Sequence, residues 1–133
     1  MAQSRLLSAT VLQYTLPGSP SIYYGDEAGC EGAKDPFNRR TYPWGRENRE
    51  TLTHYQNLGD LRKHHSALQT GDTEFFCAGQ GRLGFSRKDS QEEIKIYVNQ
   101  SAEGWELPQG EILLSRNVTG SVLAPMGYCI MRV

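Results

Sequence analysis

The spacing of apolar residues changes at about Thr70, and this constrains the fold more than any other property of the chain. Before that point apolar residues recur at helical intervals; after it they alternate. Leu7, Val11 and Tyr14 stand at i, i+4 and i+7, which predicts a helix over residues 2–14. Leu52, Tyr55, Leu58 and Leu61, with His65 as a further candidate, predict a second helix over residues 49–64. Beyond Thr70, Ile94, Ile96 and Val98 alternate with Lys95, Tyr97 and Asn99, the period of a half-buried strand. Leu83 and Phe85 repeat that pattern, as do Ile112 and Leu114, and Cys129, Met131 and Val133. Glycine-containing turns at 79–81, 109–110 and 125–127 separate them. This grammar predicts an antiparallel β-sandwich over residues 70–133, with a boundary at Leu68–Gly71.

The punctuation of the first part is equally specific. Pro17-Gly18 ends the first helix, because proline cannot continue it and glycine permits the reversal. Ser21–Tyr24 is short and apolar between Pro20 and Gly25, which suits a strand buried on both faces, although periodicity alone does not prove one. Residues 25–48 form a long connection rich in glycine, proline and charge, and a loop of that length in a compact domain is usually functional. Asn48 is placed to cap the second helix, with Glu50 in its first turn, and Gly59 is a weak point within it.

Composition narrows the function classes. A net charge of −1 over 133 residues gives no reason to invoke nucleic acid or a membrane surface, and no apolar run reaches the length of a span. A whole β/α barrel needs roughly 250 residues and does not fit. The start is not a secretory signal, since its apolar run is short and broken by Ser and Thr; this leans toward the cytoplasm and leaves export open. Cys30, Cys77 and Cys129 are odd in number and contain no C-x-x-C pair, so free thiols are expected rather than disulfides or zinc. His64 and His65 point about 100° apart on a helix and do not converge on a metal; an interaction with the helix C-terminus is expected. His54 reads as an exposed position without a partner.

Several motifs then occur in order: Leu16-Pro17-Gly18-Ser19-Pro20-Ser21-Ile22-Tyr23-Tyr24-Gly25-Asp26-Glu27, Asp35-Pro36-Phe37-Asn38-Arg39-Arg40 and Tyr42-Pro43-Trp44-Gly45. With them the chain resembles the end of the catalytic barrel of the α-amylase family, glycoside hydrolase family 13, in the branch of neopullulanase, maltogenic amylase and cyclomaltodextrinase. The resemblance is sharp through residue 68 and loose beyond. It implies an α+β fragment in which residues 1–69 are the C-terminal end of a (β/α)8 barrel (helix, last strand at 21–25, active-site loop, last helix). Residues 70–133 would be the following antiparallel β-sandwich.

The same resemblance implies roles. Asp35 and Arg39 match the family's Asp-Pro-x-x-Arg pattern, which lines a glucose subsite. A carboxylate accepts hydrogen bonds from neighbouring sugar hydroxyls and a guanidinium donates in a fixed fork. The same two residues would also suit an ion pair that shapes the loop. Trp44 and Tyr42 either offer aromatic faces to a sugar or pack the loop onto the barrel; Tyr23 and Tyr24 are assigned to packing. Asp26 and Glu27 are placed behind the sugar contacts, in an electrostatic or a structural hydrogen-bonding role. The family takes its Asp nucleophile and Glu acid/base from earlier strands, so no catalytic residue is assigned here. No cofactor and no metal, calcium included, is expected.

The resulting expectation is part of an enzyme that cleaves or transfers α-glucosidic bonds by the retaining two-carboxylate route. The partner is an α-glucan or maltooligosaccharide, and this segment alone would be inactive. A non-catalytic glucan-binding module and an amylase-like scaffold subunit stand as alternatives. Without its barrel neighbours, such a fragment would either self-associate through residues 1–25 or leave them mobile.

Overall fold

The computed structural model describes residues 2–22, 25–29, 42 and 44–133. Helix α1 spans Ala2–Thr15 and buries Leu7, Val11 and Tyr14, the stripe that the sequence predicts. Gly18 follows Pro17 with φ of 107°, a conformation suited to glycine. Helix α2 spans Arg49–His64, and the Asn48 side chain accepts a hydrogen bond from Thr51 N at 3.1 Å, as an N-cap should. A short helix, α3 (Ser66–Thr70), closes on Gly71. A side chain at Gly71 would place its Cβ 2.4 Å from the Ala67 carbonyl oxygen, so only glycine lets the chain turn so tightly into the sheet.

Six strands follow: β1 (Asp72–Gly79), β2 (Arg82–Lys88), β3 (Glu93–Asn99), β4 (Trp105–Glu106), β5 (Glu111–Thr119) and β6 (Val122–Arg132). All belong to one open antiparallel sheet. β1, β2, β3 and β6 lie side by side in that order; β4 pairs with the start of β6, and β5 pairs with β6 along its length. The sheet is consistent with the β-sandwich-like domain expected, and helices form the layer against one of its faces. Phe85, Ile94, Ile96, Val98, Tyr128 and Ile130 pack there against Val11, Tyr14, Tyr55, Leu58 and Leu68. The register explains the grouping, since Phe85 pairs with Ile96 and Ile96 with Ile130, so alternate residues of each strand share the face.

The outer face has its own apolar cluster of Tyr97, Leu107, Leu123, Cys129 and Met131. β3 is therefore covered on both sides rather than half-buried: Tyr97 is 3% exposed and Asn99 fully buried. Asn99 is satisfied there, its Nδ2 donating to Glu103 O and Leu123 O, both at 2.9 Å, and its Oδ1 accepting from Ser101 N. Ile112 and Val133, expected to alternate inward, are 45% and 49% exposed.

Two guanidinium groups join helices and sheet. Arg87, 1% exposed on β2, donates through Nη1 to Thr15 O at 2.6 Å and through Nη2 to Gly71 O at 3.0 Å. Arg62 donates through Nη1 to Tyr14 O at 2.8 Å and through Nη2 to Gly18 O. Both satisfy carbonyls at the negative end of α1. Burial first, then the Arg62 charge, holds the Arg87 pKa below the usual guanidinium value.

One expectation needs correction. The buried stripe of α2 is Thr51, His54, Tyr55 and Leu58, not the set beginning at Leu52, so His54 is 6% exposed rather than free in solvent. The middle of the strand expected at 21–25, Tyr23 and Tyr24, lies outside the described residues. Ser21 and Ile22 are irregular, Ile22 is 40% exposed, and Gly25 already leads into a 3₁₀ turn at Asp26–Ala28. Every strand among the described residues is antiparallel and follows Gly71.

Candidate functional site

The loop singled out by its sequence begins and ends at the N-terminus of α2. Asn48 N donates to Ala28 O at 2.8 Å, and Ala28 is buried. Gly29, at φ of 79°, lies so close to Asn48 that a Cβ on it would stand 2.8 Å from the Asn48 Cβ. Asn48 thus does two jobs, capping the helix with its side chain and joining the loop's two ends with its backbone.

Trp44 is displayed at 79% exposure. Its ring centroid lies 4.6 Å from that of Tyr42, tilted by 49°. The local turn is held by Trp44 N donating to Tyr42 O at 2.9 Å and by Gly45 N donating to Glu47 Oε1 at 3.1 Å. Hydrogen bonds from its own backbone N–H and then from that of Gly45 hold the Glu47 carboxyl below its ordinary pKa. Asp35 and Arg39 lie outside the described residues.

Asp26 is exposed, while Glu27 is half-buried with Oε2 shielded from solvent and without a hydrogen-bond partner. Burial, then the Glu27 charge, raises the Asp26 pKa. Glu27 also contributes to the raised pKa of Tyr14, after burial and Tyr55, which places its charge beside the helix core.

A second polar cluster was not found from the sequence. His54 Nε2 lies 2.9 Å from Leu7 O, and its Nδ1 lies 3.2 Å from the Tyr128 hydroxyl. A carbonyl only accepts, so Nε2 carries the proton and Nδ1 accepts from Tyr128. Burial lowers the His54 pKa and pushes that of Tyr128 up to about 12. Beside them the Arg116–Glu50 ion pair bridges β5 and α2 across an open cleft of about 480 Å³. The available signal was His54 at three residues from Thr51 and four from Leu58, a position on the buried stripe.

His64 Nδ1 lies 2.7 Å from Asp60 O near the helix end, as expected, whereas His65 Nδ1 lies 2.9 Å from Glu92 Oε1 rather than at the helix carbonyls. Cys77 and Cys129 are free, and burial pushes the Cys129 thiol up to about 11; Cys30 lies outside the described residues. Among the described residues no group of His, Cys, Asp and Glu could hold a metal, and no helix is long and apolar enough to cross a membrane.

No protein-family model matches the chain. An amylopullulanase of Thermoanaerobacterium saccharolyticum is 46% identical over 121 residues, which is 91% of this chain and 9% of that protein. A cyclomaltodextrinase of Geobacillus thermopakistaniensis is 38% identical over 102 residues, 74% of this chain and 17% of that protein. Among solved structures, the maltogenic amylase of S. marinus superposes with a TM-score of 0.85 at 31% identity, covering 97% of this chain and 19% of that one. The chain thus spans less than a fifth of each of these proteins.

Proposed function

We propose that this chain, related by homology to enzymes of the α-amylase superfamily, glycoside hydrolase family 13, supplies part of the substrate cleft and the following β domain of an α-glucan hydrolase. The observation that carries the reading is the ordered set of motifs from Leu16 to Gly45 in a chain that aligns with α-glucan-acting enzymes over most of its length. Residues 1–69 are read as the end of the barrel and residues 70–133 as the domain after it. Relatives of several names share this likeness, so the neopullulanase, maltogenic amylase and cyclomaltodextrinase branch belongs to the proposal as well.

In this reading Asp35 accepts hydrogen bonds from two sugar hydroxyls, Arg39 donates to an adjacent one, and Trp44 covers a sugar face. Asp26 and Glu27 set the charge behind them. The enzyme's acid/base pair comes from other strands, and the 133-residue chain alone releases no sugar. In the enzyme that carries this chain, Asp35→Ala should cost about 1–3 kcal/mol of substrate handling, the scale for losing a charged hydrogen bond. Arg39→Ala should behave alike. Steady-state kinetics on maltooligosaccharides check this, and unchanged kcat/KM in both folded variants would remove the two residues from the site.

A further inference from the structure

A bulge, a glycine and three aromatic rings on the outer face of the sheet play no part in the loop site. In the β1–β2 ladder Phe75 pairs with Phe85 and Cys77 with Gly84, so Phe76 is the extra residue of a bulge. A bulge re-aims the side chain it carries. Here Phe76 turns over Gly84: a Cβ on that glycine would stand 2.5 Å from the Phe76 ring and 3.1 Å from the Trp105 ring. The glycine is what lets rings from two separate strands meet. Tyr97, the partner of Gly84 on β3, completes the set, with its ring centroid 5.3 Å from Phe76 and 5.2 Å from Trp105.

Two cations flank the rings. Lys95 Nζ lies 5.5 Å from the centre of Phe76, and the Arg82 guanidinium carbon lies 5.6 Å from the centre of Trp105. Arg82 is held in place by Nη2 donating to Gly104 O at 2.8 Å, while its Nε is buried with no hydrogen-bond partner. Phe76 is 46% exposed and Trp105 half-buried, so ring surface stays open above a buried Tyr97.

A glycine inside a strand weakens a sheet, and a bulge interrupts its ladder. What the two devices provide here is ring surface bordered by hydrogen-bond donors. A pyranose matches that pattern, with C–H groups for the rings and hydroxyls for the border. A protein partner does not: a stable interface takes about 20–30 residues a side, far more than this patch offers. We propose that Phe76 and Trp105, bordered by Lys95 and Arg82, form a second binding site for an α-glucan chain, apart from the Trp44 loop. The identity of the sugar rests on the α-glucan reading above, whereas the platform rests on the geometry alone.

Nitrogen-15 spectra of the 133-residue chain separate the two sites, because Trp105 and Trp44 are its only tryptophans. With maltoheptaose, the Trp105 indole signal should move and saturate, and Trp44→Ala should leave that titration unchanged. Phe76→Ala should weaken it about ten-fold, equivalent to about 1.4 kcal/mol. Unchanged amide signals at Ile94 and Ile96 certify that this variant is folded. Cellohexaose, the β-linked counterpart, should bind at least as much more weakly. A stationary Trp105 signal with a moving Trp44 signal overturns the second site and leaves the α-glucan reading standing. Full affinity in folded Phe76→Ala overturns the platform. Equal affinity for cellohexaose overturns the α-glucan assignment of the site while leaving the loop reading to its own kinetic test.

Discussion

On the face toward the helices, Phe85, Ile96 and Ile130 are fully buried, and the polar groups among them, His54 and Arg87, are hydrogen-bonded to backbone or to Tyr128. On the outer face Tyr97 is just as buried, but its cover consists of Phe76 and Trp105, which remain partly open. The first face has a second layer of secondary structure to exclude water, so each polar group taken inside needs a partner. The second makes its cover from side chains of the sheet itself, and a cover of that kind keeps one side in solvent. Burial alone does not distinguish Phe85 from Tyr97; what lies above each of them does.

The largest test of this contrast is a matched pair. Phe85→Ala should destabilise by about 3–5 kcal/mol, the usual cost of emptying an aromatic site in a packed core. Phe76→Ala should stay below about 1 kcal/mol, because its ring is already half in water. Urea unfolding followed by far-UV circular dichroism measures both, and similar losses would mean that the outer rings are core in all but exposure. Next in size, Arg87→Met should cost about 3 kcal/mol, since it strands the Thr15 and Gly71 carbonyls that a charged donor now satisfies. A variant as stable as the parent in the same experiment would show that water replaces the guanidinium freely.

The smallest effect concerns His54 and Tyr128. Tyr128→Phe removes one donor from the buried ring and should cost about 1 kcal/mol. Burial depresses the native His54 pKa, so below the ordinary value of about 6.5 the unfolded chain binds the proton more readily. The stability that His54 contributes is therefore complete above that pH and is lost as pH falls through the depressed native value. His54→Gln should flatten this acid limb. Tyr128 works in the opposite direction: its raised pKa of about 12 removes stability as pH climbs from about 10. Urea midpoints measured from pH 5 to 8 that do not differ between the parent and His54→Gln would assign the acid limb to other groups.

Much of the helical part is legible in the sequence because its determinants are local. Leu7, Val11 and Tyr14 define a face by spacing, and Asn48 announces a helix start by chemistry. The stripe of α2 was misplaced because Leu52 outweighs Thr51 and His54 on any scale of apolarity, although it is these two that face the core. Ile94, Ile96 and Val98 mark β3 clearly, whereas β1 carries Phe75, Phe76 and Cys77 in succession, and its bulge breaks the alternation that would have revealed it. Gly84 and Trp105 acquire meaning only when four strands are brought together, which no local pattern encodes. Asp35 and Arg39 were legible as a motif, and they lie outside the described residues.

The junction of Ala28, Gly29 and Asn48 bears on how such a molecule can change over evolutionary time. The Asn48 to Ala28 hydrogen bond brings the two ends of the segment together, and closing a flexible loop costs about 0.6 kcal/mol more for each doubling of its length. The cap on α2 is the same whatever the segment contains. A change of length between these anchors leaves in place the backbone bond and the side-chain cap by which Asn48 starts α2.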